Sequence, residues 1–152
     1  MDFPNIFTQA VAEKVIQRIN SLHSTSKPLW GKMNVAQMLA HCSVSYEYLF
    51  ENKHQKPNPF MKLVIKLLVK KTVVSTIPYK HNSPTGPDFK MTTEKEFEVE
   101  KTRLIDYIKR TQVLGENHFD NKESHSFGKL TINEWNNMFY KHLDHHLSQF
   151  GV

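Results

Sequence analysis

Three histidines lie within five positions near the C-terminus of the sequence, at His142, His145 and His146. On an α-helix, residues four positions apart share a face, with Cβ atoms about 5–6 Å apart. His142 and His146 have this spacing, and both rings could bind one metal ion at about 2.0–2.1 Å. His145 is rotated by about 100° from His146, which places it at the rim. The pair is either part of a metal site or a polar pair that is solvated or hydrogen-bonded in the core.

A metal site on this helix needs a further ligand from another element, and His41 is the best candidate. It lies in an apolar run from Met38 to Cys42, which predicts a buried position. A buried imidazole needs partners for its nitrogens, and a lone core histidine is more often hydrogen-bonded than metal-bound. The sequence around His41 alone therefore leaves both interpretations open. Cys42 is rotated off the face of His41, and we expect a packed core thiol there.

The depth of each histidine along its helix favours a shared site. His41 lies seven residues after the predicted N-cap Asn34, which is roughly 10 Å at about 1.5 Å per residue. His142 and His146 lie eight and four residues before Phe150, or roughly 12 and 6 Å from the end of their helix. These depths agree if the two helices are antiparallel and disagree if they are parallel. An antiparallel pair would therefore bring all three rings to one level.

The elements that must position these residues are helices. Hydrophobic periodicity predicts main helices at about 7–22, 34–52, 93–113 and 131–150, and a shorter helix at 60–71. Three of the starts carry capping-box pairs, which are Asn34 with Gln37, Thr93 with Glu96, and Thr131 with Glu134. Gly115 and Gly151 are placed to end helices. Only 72–76 is β-branched enough to suggest a strand. We expect one all-α domain over 1–152, a four-helix bundle with a long crossover connection that includes an irregular loop at 75–91.

Composition limits the remaining possibilities. The formal net charge is +5 and the sequence has one cysteine, Cys42. A single cysteine excludes an intrachain disulfide and favours a reducing compartment. The N-terminus lacks the basic start and apolar run of a signal peptide. The most apolar stretch, 60–74, is interrupted by four lysines and is too short to span a bilayer. These features predict a soluble cytoplasmic protein.

The basic helix at 60–71 has two interpretations. Its lysines opposite an apolar side resemble a helix that lies on an anionic membrane surface. An ordinary surface helix has the same pattern when its apolar side covers a core, and we expect this second arrangement, so a membrane partner is not favoured. We expect no nucleic-acid partner either, because aromatic residues are not interleaved with the lysines.

Two segments of the sequence resemble the DinB/YfiT-like superfamily of metalloenzymes. They are Leu29–Cys42, with its Trp-Gly-Lys-Met motif, and Phe127–Gly151, with its C-terminal His-x-x-x-His helix. The likeness is to a bacterial branch of that superfamily and extends over nearly the whole chain. The resemblance implies a DinB-like four-helix bundle and a homodimer. It also implies a divalent transition metal such as zinc, nickel or iron, held by His41, His142 and His146.

The function predicted from these features is a metal-dependent enzyme that acts on a small molecule. Members of the superfamily with known chemistry include thiol-dependent transferases and isomerases that act on small molecules, so the resemblance implies a small-molecule substrate, with a low-molecular-weight thiol as one candidate. A transferase and a hydrolase both remain open, but a zinc-protease His-Glu-x-x-His motif is absent. Glu47 and Glu134 are candidate proton-transfer groups, although a solvated helix surface is the more common place for glutamates. The alternative is a non-enzymatic bundle that binds a small molecule or a protein, with a structural metal or none.

Overall fold

The computed structural model describes residues 3–152 and is predominantly helical. The α-helices, in chain order, are α1 (Gln9–Asn20), α2 (Val35–Phe50), α3 (Pro59–Leu68), α4 (Lys70–Val74), α5 (Phe97–Phe119) and α6 (Ile132–Gln149). A 3-10 turn, Pro87–Phe89, lies in the connection between α4 and α5, and a short antiparallel hairpin joins β1 (Lys122–Ser124) to β2 (Gly128–Leu130). The all-α class is therefore correct. No helix among residues 3–152 has both the length and the hydropathy needed to cross a bilayer.

Two of the three predicted capping boxes form, and they begin the two helices that carry the histidines. At α2, the Asn34 side chain accepts from the Gln37 amide while the Gln37 side chain accepts from the Asn34 amide. At α6, Thr131 and Glu134 make the same reciprocal pair. Each box satisfies backbone donors that a helix start would otherwise leave without partners.

The third predicted capping box, at Thr93 and Glu96, is wrong. The helix α5 begins at Phe97, and its N-cap residue Glu96 makes no side-chain capping bond. The Thr93 carbonyl instead accepts a hydrogen bond from the Gln37 side chain, which ties this segment to the start of α2. A long-range contact thus overrides the local start signal.

The segment 116–129, which lies between two predicted helices, contains structure that the sequence did not indicate. Gly115 adopts a positive φ of 69° and interrupts α5 as a helix stop does, but helical structure resumes and reaches Phe119. The hairpin that follows turns on the Ser124 hydroxyl, which accepts from the Phe127 amide and donates to the Gly128 carbonyl. Strands of three residues are too short to show alternation. The strand considered at 72–76 is instead the end of α4 and the residues after it.

Aromatic packing holds α6 against the other long helices. Phe139 lies at the centre, with ring centroids 4.8 Å from Tyr46 of α2, 5.8 Å from Phe119 of α5 and 5.6 Å from Trp135. All four side chains are almost fully buried. Aromatic pairs at these separations contribute about 0.5–1.5 kcal/mol each beyond the burial of their area. This cluster fixes the rotation of α6 and therefore the direction in which its histidines point.

The contacts between α2 and α6 pair late residues of one helix with early residues of the other. Tyr46, late in α2, stacks on Phe139, early in α6. His41 lies level with His142 and His146 in the middle. Before the start of α2, the Leu29 amide donates to the carbonyl oxygen of Gln149, at the end of α6. The two helices are therefore antiparallel, as the depths of the histidines required.

The helix α3 differs from the expectation that its apolar side covers a core. None of its residues is buried, and Phe60, Leu63, Leu67 and Leu68 are mostly exposed. On its other side, Lys62 forms an ion pair with Glu123, and just after α3 Lys70 at the start of α4 forms one with Glu134. The helix is amphipathic as predicted, but it is rotated so that its apolar side faces outward.

Candidate metal centre

The three histidines selected from the sequence converge at one point between α2 and α6. The Nε2 atoms of His41 and His142 are 3.0 Å apart. One ring nitrogen from each of His41, His142 and His146 lies within 4.8 Å of the other two. His41 and His146 are buried and His142 is half-buried. No other group of three or more histidine, cysteine or acidic side chains with this proximity occurs among residues 3–152.

Each of the three rings is held through its other nitrogen, Nδ1. His41 Nδ1 lies 2.8 Å from the Phe89 carbonyl, and His146 Nδ1 lies 2.9 Å from Gln149 Oε1. Because both oxygens can only accept, Nδ1 carries the proton in each ring and Nε2 keeps its lone pair. The His142 Nδ1 lies 3.2 Å from the Ser45 hydroxyl, which can donate or accept. Outer hydrogen bonds of this kind fix the tautomer and orientation of metal-binding histidines.

The orientation of the Gln149 side chain is itself determined by a second bond. Its Nε2 donates to the Trp30 carbonyl at 2.7 Å. A carbonyl cannot donate, so the amide nitrogen must face Trp30 and Oε1 must face His146. Gln149 is buried and makes both contacts at the end of α6. It therefore links the ring of His146 to the segment that precedes α2.

The electrostatics keep the three rings neutral. Burial lowers the pKa of His41, lowers that of His142 well below its usual value, and lowers that of His146 to about 3. Each histidine would also repel a positive charge on its neighbours, which lowers these pKa values further. The neutral form is the one that binds metals, so at neutral pH no proton has to leave these rings before a cation binds.

The arrangement fits a divalent cation. Two nitrogens that each lie about 2.0–2.1 Å from a tetrahedral ion are about 3.3 Å apart. The observed separations, from 3.0 Å to at most 4.8 Å, bracket this value and need only small ring movements. The Nε2 lone pairs of His41 and His146 would repel each other at this point unless a cation, or a proton on His142 Nε2, lay between them. The three histidines could therefore hold a metal ion, and a three-ligand set leaves a coordination position open.

Aromatic side chains from the 75–91 connection cover the centre. The Phe89 ring lies 5.3 Å from that of His41 and 5.9 Å from that of His142, and Tyr79 lies 6.4 Å from His142. At the rim, His81 stacks on Trp30 at 3.8 Å. These contacts separate the three rings from water, which agrees with the direction of their pKa changes.

Lys141, next to His142 in the sequence, anchors the start of this connection. Its side chain is buried, and its ammonium donates to the carbonyls of Thr72, Ser75 and Ile77 at 2.6–3.1 Å. The same ammonium lies 4.6 Å from the centre of the Tyr79 ring. Burial lowers the pKa of Lys141 to about 8, while the three carbonyl oxygens favour its charged form. A single side chain of α6 thus positions the segment that leads to Tyr79.

The structure places the remaining sequence candidates outside the set of converging nitrogens. His145 lies at the rim as expected, 5.6 Å from Tyr79 and 6.0 Å from His81 between ring centroids. Glu134 is engaged in the start of α6 and with Lys70. Cys42 is buried beside Met38, and burial raises the pKa of its thiol. Neither Glu134 nor Cys42 makes a hydrogen bond to any of the three histidines.

Glu47 belongs to a separate polar network. Its carboxylate forms ion pairs with Lys53, His54 and Arg103, and these partners lower the pKa of Glu47 against the opposing effect of its burial. The network lines a cleft of about 410 Å³ between α2, α5 and the segment after the 3-10 turn. His54, in the segment after α2, belongs to this network, with Nε2 2.6 Å from Glu47 Oε2. None of the three converging histidines lines this cleft.

Sequence reasoning missed the groups that orient the rings. Gln149 had a local signal, because it lies three residues after His146 on one helix face. Ser45 is on the same side of α2 as His41, four residues later, and could have been found in the same way. The Phe89 carbonyl had no signal, since a backbone atom in an irregular connection is placed by tertiary structure alone.

Comparison with known proteins gives a match that covers nearly the whole chain. A sequence model of the family described as "Protein of unknown function (DUF1569)" matches residues 6–151. The chain belongs to the DUF1569 family. The match includes α1 to α6 and all three histidines. No curated protein and no solved structure matches the chain.

Proposed function

We propose that this member of the DUF1569 family is a metal-dependent enzyme with a DinB-like four-helix bundle that acts on a small molecule. The four long helices α1, α2, α5 and α6 would form the bundle, and α3 and α4 would lie on the crossover between the second and third. The proposed ligands of a divalent transition metal are His41, His142 and His146. The proposed reaction is a transfer that uses a low-molecular-weight thiol.

One observation supports the metal site most strongly. The Nδ1 atoms of His41 and His146 donate to oxygens that can only accept, so their Nε2 lone pairs are free and face the common point. His142 points Nε2 at the same place. A core histidine without a metal needs only one hydrogen-bond partner to hold its ring. Two rings with both nitrogens accounted for in this way, joined by a third ring whose Nε2 lies 3.0 Å from that of His41, form an arrangement that fits a metal site.

The surroundings favour a thiol transfer over hydrolysis. A bound divalent ion would supply Lewis-acid chemistry and would favour the anionic form of a thiol or water at its open position. None of the three histidines has a carboxylate hydrogen-bond partner among residues 3–152, so a general base for hydrolysis is not provided by an acidic side chain there. The buried thiol of Cys42 has a raised pKa and is a poor nucleophile. The reacting thiol must then come from a substrate.

The chain's own residues would perform three tasks in such a reaction. The Phe89 carbonyl, Ser45 and Gln149 orient the ligands. Phe89 and Tyr79 keep water from the ligands and supply aromatic surface for the apolar part of a substrate. His145, half-buried at the rim, is the nearest imidazole that the proposed ligand set leaves free to exchange a proton.

Elemental analysis of the purified protein tests the metal site. We expect a transition metal close to one equivalent in the wild type and much less in His142→Ala. His118→Ala, which removes an exposed histidine of α5, is the matched control and should keep its metal. Equal metal content in wild type and His142→Ala would refute the site.

Thiol consumption tests the reaction. Metal-loaded wild type, metal-stripped wild type and His142→Ala would be incubated with glutathione, cysteine or coenzyme A and a small electrophile. We expect accelerated loss of free thiol with the loaded wild type only. Protein that contains stoichiometric metal but does not accelerate the loss of any thiol would contradict the transfer reaction. Protein that is fully folded without metal and unaffected by a chelator would instead favour a binding module.

A further inference from the structure

The exposed side of α3 is an apolar surface that the metal centre does not explain. Phe60, Leu63, Leu67 and Leu68 are 73%, 53%, 71% and 74% exposed. They recur at the i, i+3, i+7 and i+8 positions of one helix face, and we call this surface the α3 face. Single exposed apolar residues are normal, but a contiguous row of four indicates a surface that something else covers.

Ion pairs hold the α3 face outward. Lys62 Nζ lies 2.6 Å from Glu123 Oε1 of the hairpin, and Lys70 Nζ lies 2.8 Å from Glu134 Oε1 at the start of α6. Lys62 is on the side of α3 that meets the rest of the protein, and Lys70 holds the end of α3 where α4 begins. A rotation that buried the leucines would break both pairs. The outward orientation is therefore built into the fold and is not a loose attachment of α3.

A basic cleft borders the α3 face. It has a volume of about 570 Å³ and is lined by Leu63, Lys62, Lys66, Glu123, Gly128 and Lys129. Among residues 3–152, Lys66 and Lys129 have no carboxylate within ion-pair distance, and Glu123 is already paired with Lys62. The hydrogen bond from Lys62, with the positive charges of Lys62, Lys129 and Lys66, lowers the pKa of Glu123. The cleft thus has a net positive field beside an apolar row.

We propose that the α3 face and its basic cleft dock on an anionic phospholipid bilayer. Phe60, Leu63, Leu67 and Leu68 would enter the boundary between headgroups and acyl chains, where amphipathic helices bury their apolar side by about 5–10 Å. Lys66 and Lys129 would contact lipid phosphates at the same level. The sequence of α3 has the amphipathic pattern of an ordinary surface helix. It would dock on a membrane here because the fold turns its apolar side outward.

Charge decides between a bilayer and a second copy of the chain as the occupant. A two-fold contact uses the same patch on both copies, so each patch must complement itself. Around the α3 face, the charges without partners are lysines, and a two-fold contact would bring like charges together at a cost. An anionic bilayer complements both the apolar row and the lysines.

Sedimentation with vesicles tests the proposal on the full chain. The probes are phosphatidylcholine vesicles with and without phosphatidylglycerol, at low and high salt. We expect wild type to bind the anionic vesicles and to be released by salt. Leu63→Gln with Leu67→Gln should lower the partition coefficient by about tenfold or more, because two leucines no longer leave water. Lys66→Glu with Lys129→Glu should lower it by at least about fivefold for each charge.

The matched controls are Val113→Gln and Lys109→Glu, which change exposed residues of α5 and should leave binding unchanged. All substituted residues are largely outside the core, so circular dichroism should show wild-type helicity. Absence of binding to anionic vesicles at low salt would overturn the proposal, as would equal binding by wild type and the α3-face variants. A solution dimer that Leu63→Gln with Leu67→Gln converts to monomer would assign the face to a second copy instead.

Discussion

Replacing Gln149 by leucine should weaken metal binding without touching a ligand. The substitution removes the acceptor of His146 Nδ1 at 2.9 Å and the donor to the Trp30 carbonyl at 2.7 Å. Without an acceptor, Nδ1–H no longer has a preferred partner, and the ring can rotate or place its proton on Nε2. Loss of such an outer partner lowers metal affinity by about 10–100-fold. At a fixed saturating zinc concentration, this corresponds to about 1.4–2.7 kcal/mol less stabilisation by the metal.

The same substitution also has a cost that does not depend on metal. The buried Nδ1–H of His146 loses its acceptor at a cost of about 1–3 kcal/mol, and the carbonyl of the half-buried Trp30 loses its donor at a cost of about 1 kcal/mol. We therefore expect the apoprotein of Gln149→Leu to be less stable by about 2–4 kcal/mol. Urea unfolding of the apoprotein measures this part. Competition for Zn²⁺ with a chelator of known affinity measures the binding constant separately.

Asn136→Leu is the matched control for this prediction. Asn136 is another buried amide of α6, and it accepts from the Ile6 amide at 2.8 Å and donates to the Phe3 carbonyl at 3.4 Å. Its loss should destabilise the apoprotein by a similar amount and leave zinc affinity unchanged. The reasoning is refuted if Gln149→Leu binds zinc as tightly as wild type, or if both variants lose the same affinity.

Three further predictions concern stability and are all measured by denaturant unfolding. Lys141→Met leaves three carbonyls without their cation and should cost about 2–3 kcal/mol, with faster proteolysis of the 75–91 connection; an unchanged cleavage rate would contradict the anchoring role. Asn34→Ala removes the cap of α2 and should cost about 0.5–2 kcal/mol, whereas a neutral effect would show that packing alone begins this helix. Glu47→Gln should cost about 1–3 kcal/mol at pH 7. Because the folded-state pKa of Glu47 lies below the usual 4.5, this difference in unfolding free energy should shrink as pH falls below about 4.5 and Glu47 becomes protonated. A difference that stays constant into acid would refute the ion-pair account.

Local sequence patterns predicted much of the helical framework. The reciprocal caps at Asn34 and Thr131 and the spacing of His142 and His146 involve residues that lie within one or two helical turns of each other. These depend on geometry that is the same in every α-helix, so the sequence was enough to identify them. The prediction of a Thr93 cap shows the limit, because the observed N-cap is Glu96 and the Thr93 carbonyl is instead bonded to the distant Gln37 side chain.

Long-range placement was predictable only where two local facts could be combined. The level of His41 followed from its distance to a cap, and the level of His142 and His146 followed from the helix end. Their convergence required the antiparallel packing of α2 and α6, which the depths implied and the contacts show. The acceptor for His41 Nδ1 could not be inferred, because the Phe89 carbonyl lies 48 residues away in an irregular connection.

The sequence by itself determined the all-α class, the main helices and the three histidines that could share a cation. Only the tertiary structure decided how the rings are oriented and which side of α3 faces the solvent. The physical reason is the range of the interactions involved. Helix periodicity and caps act between residues a few positions apart, whereas the bond from Gln149 to Trp30 and the pairs of Lys62 and Lys70 join segments that meet only when the chain has folded.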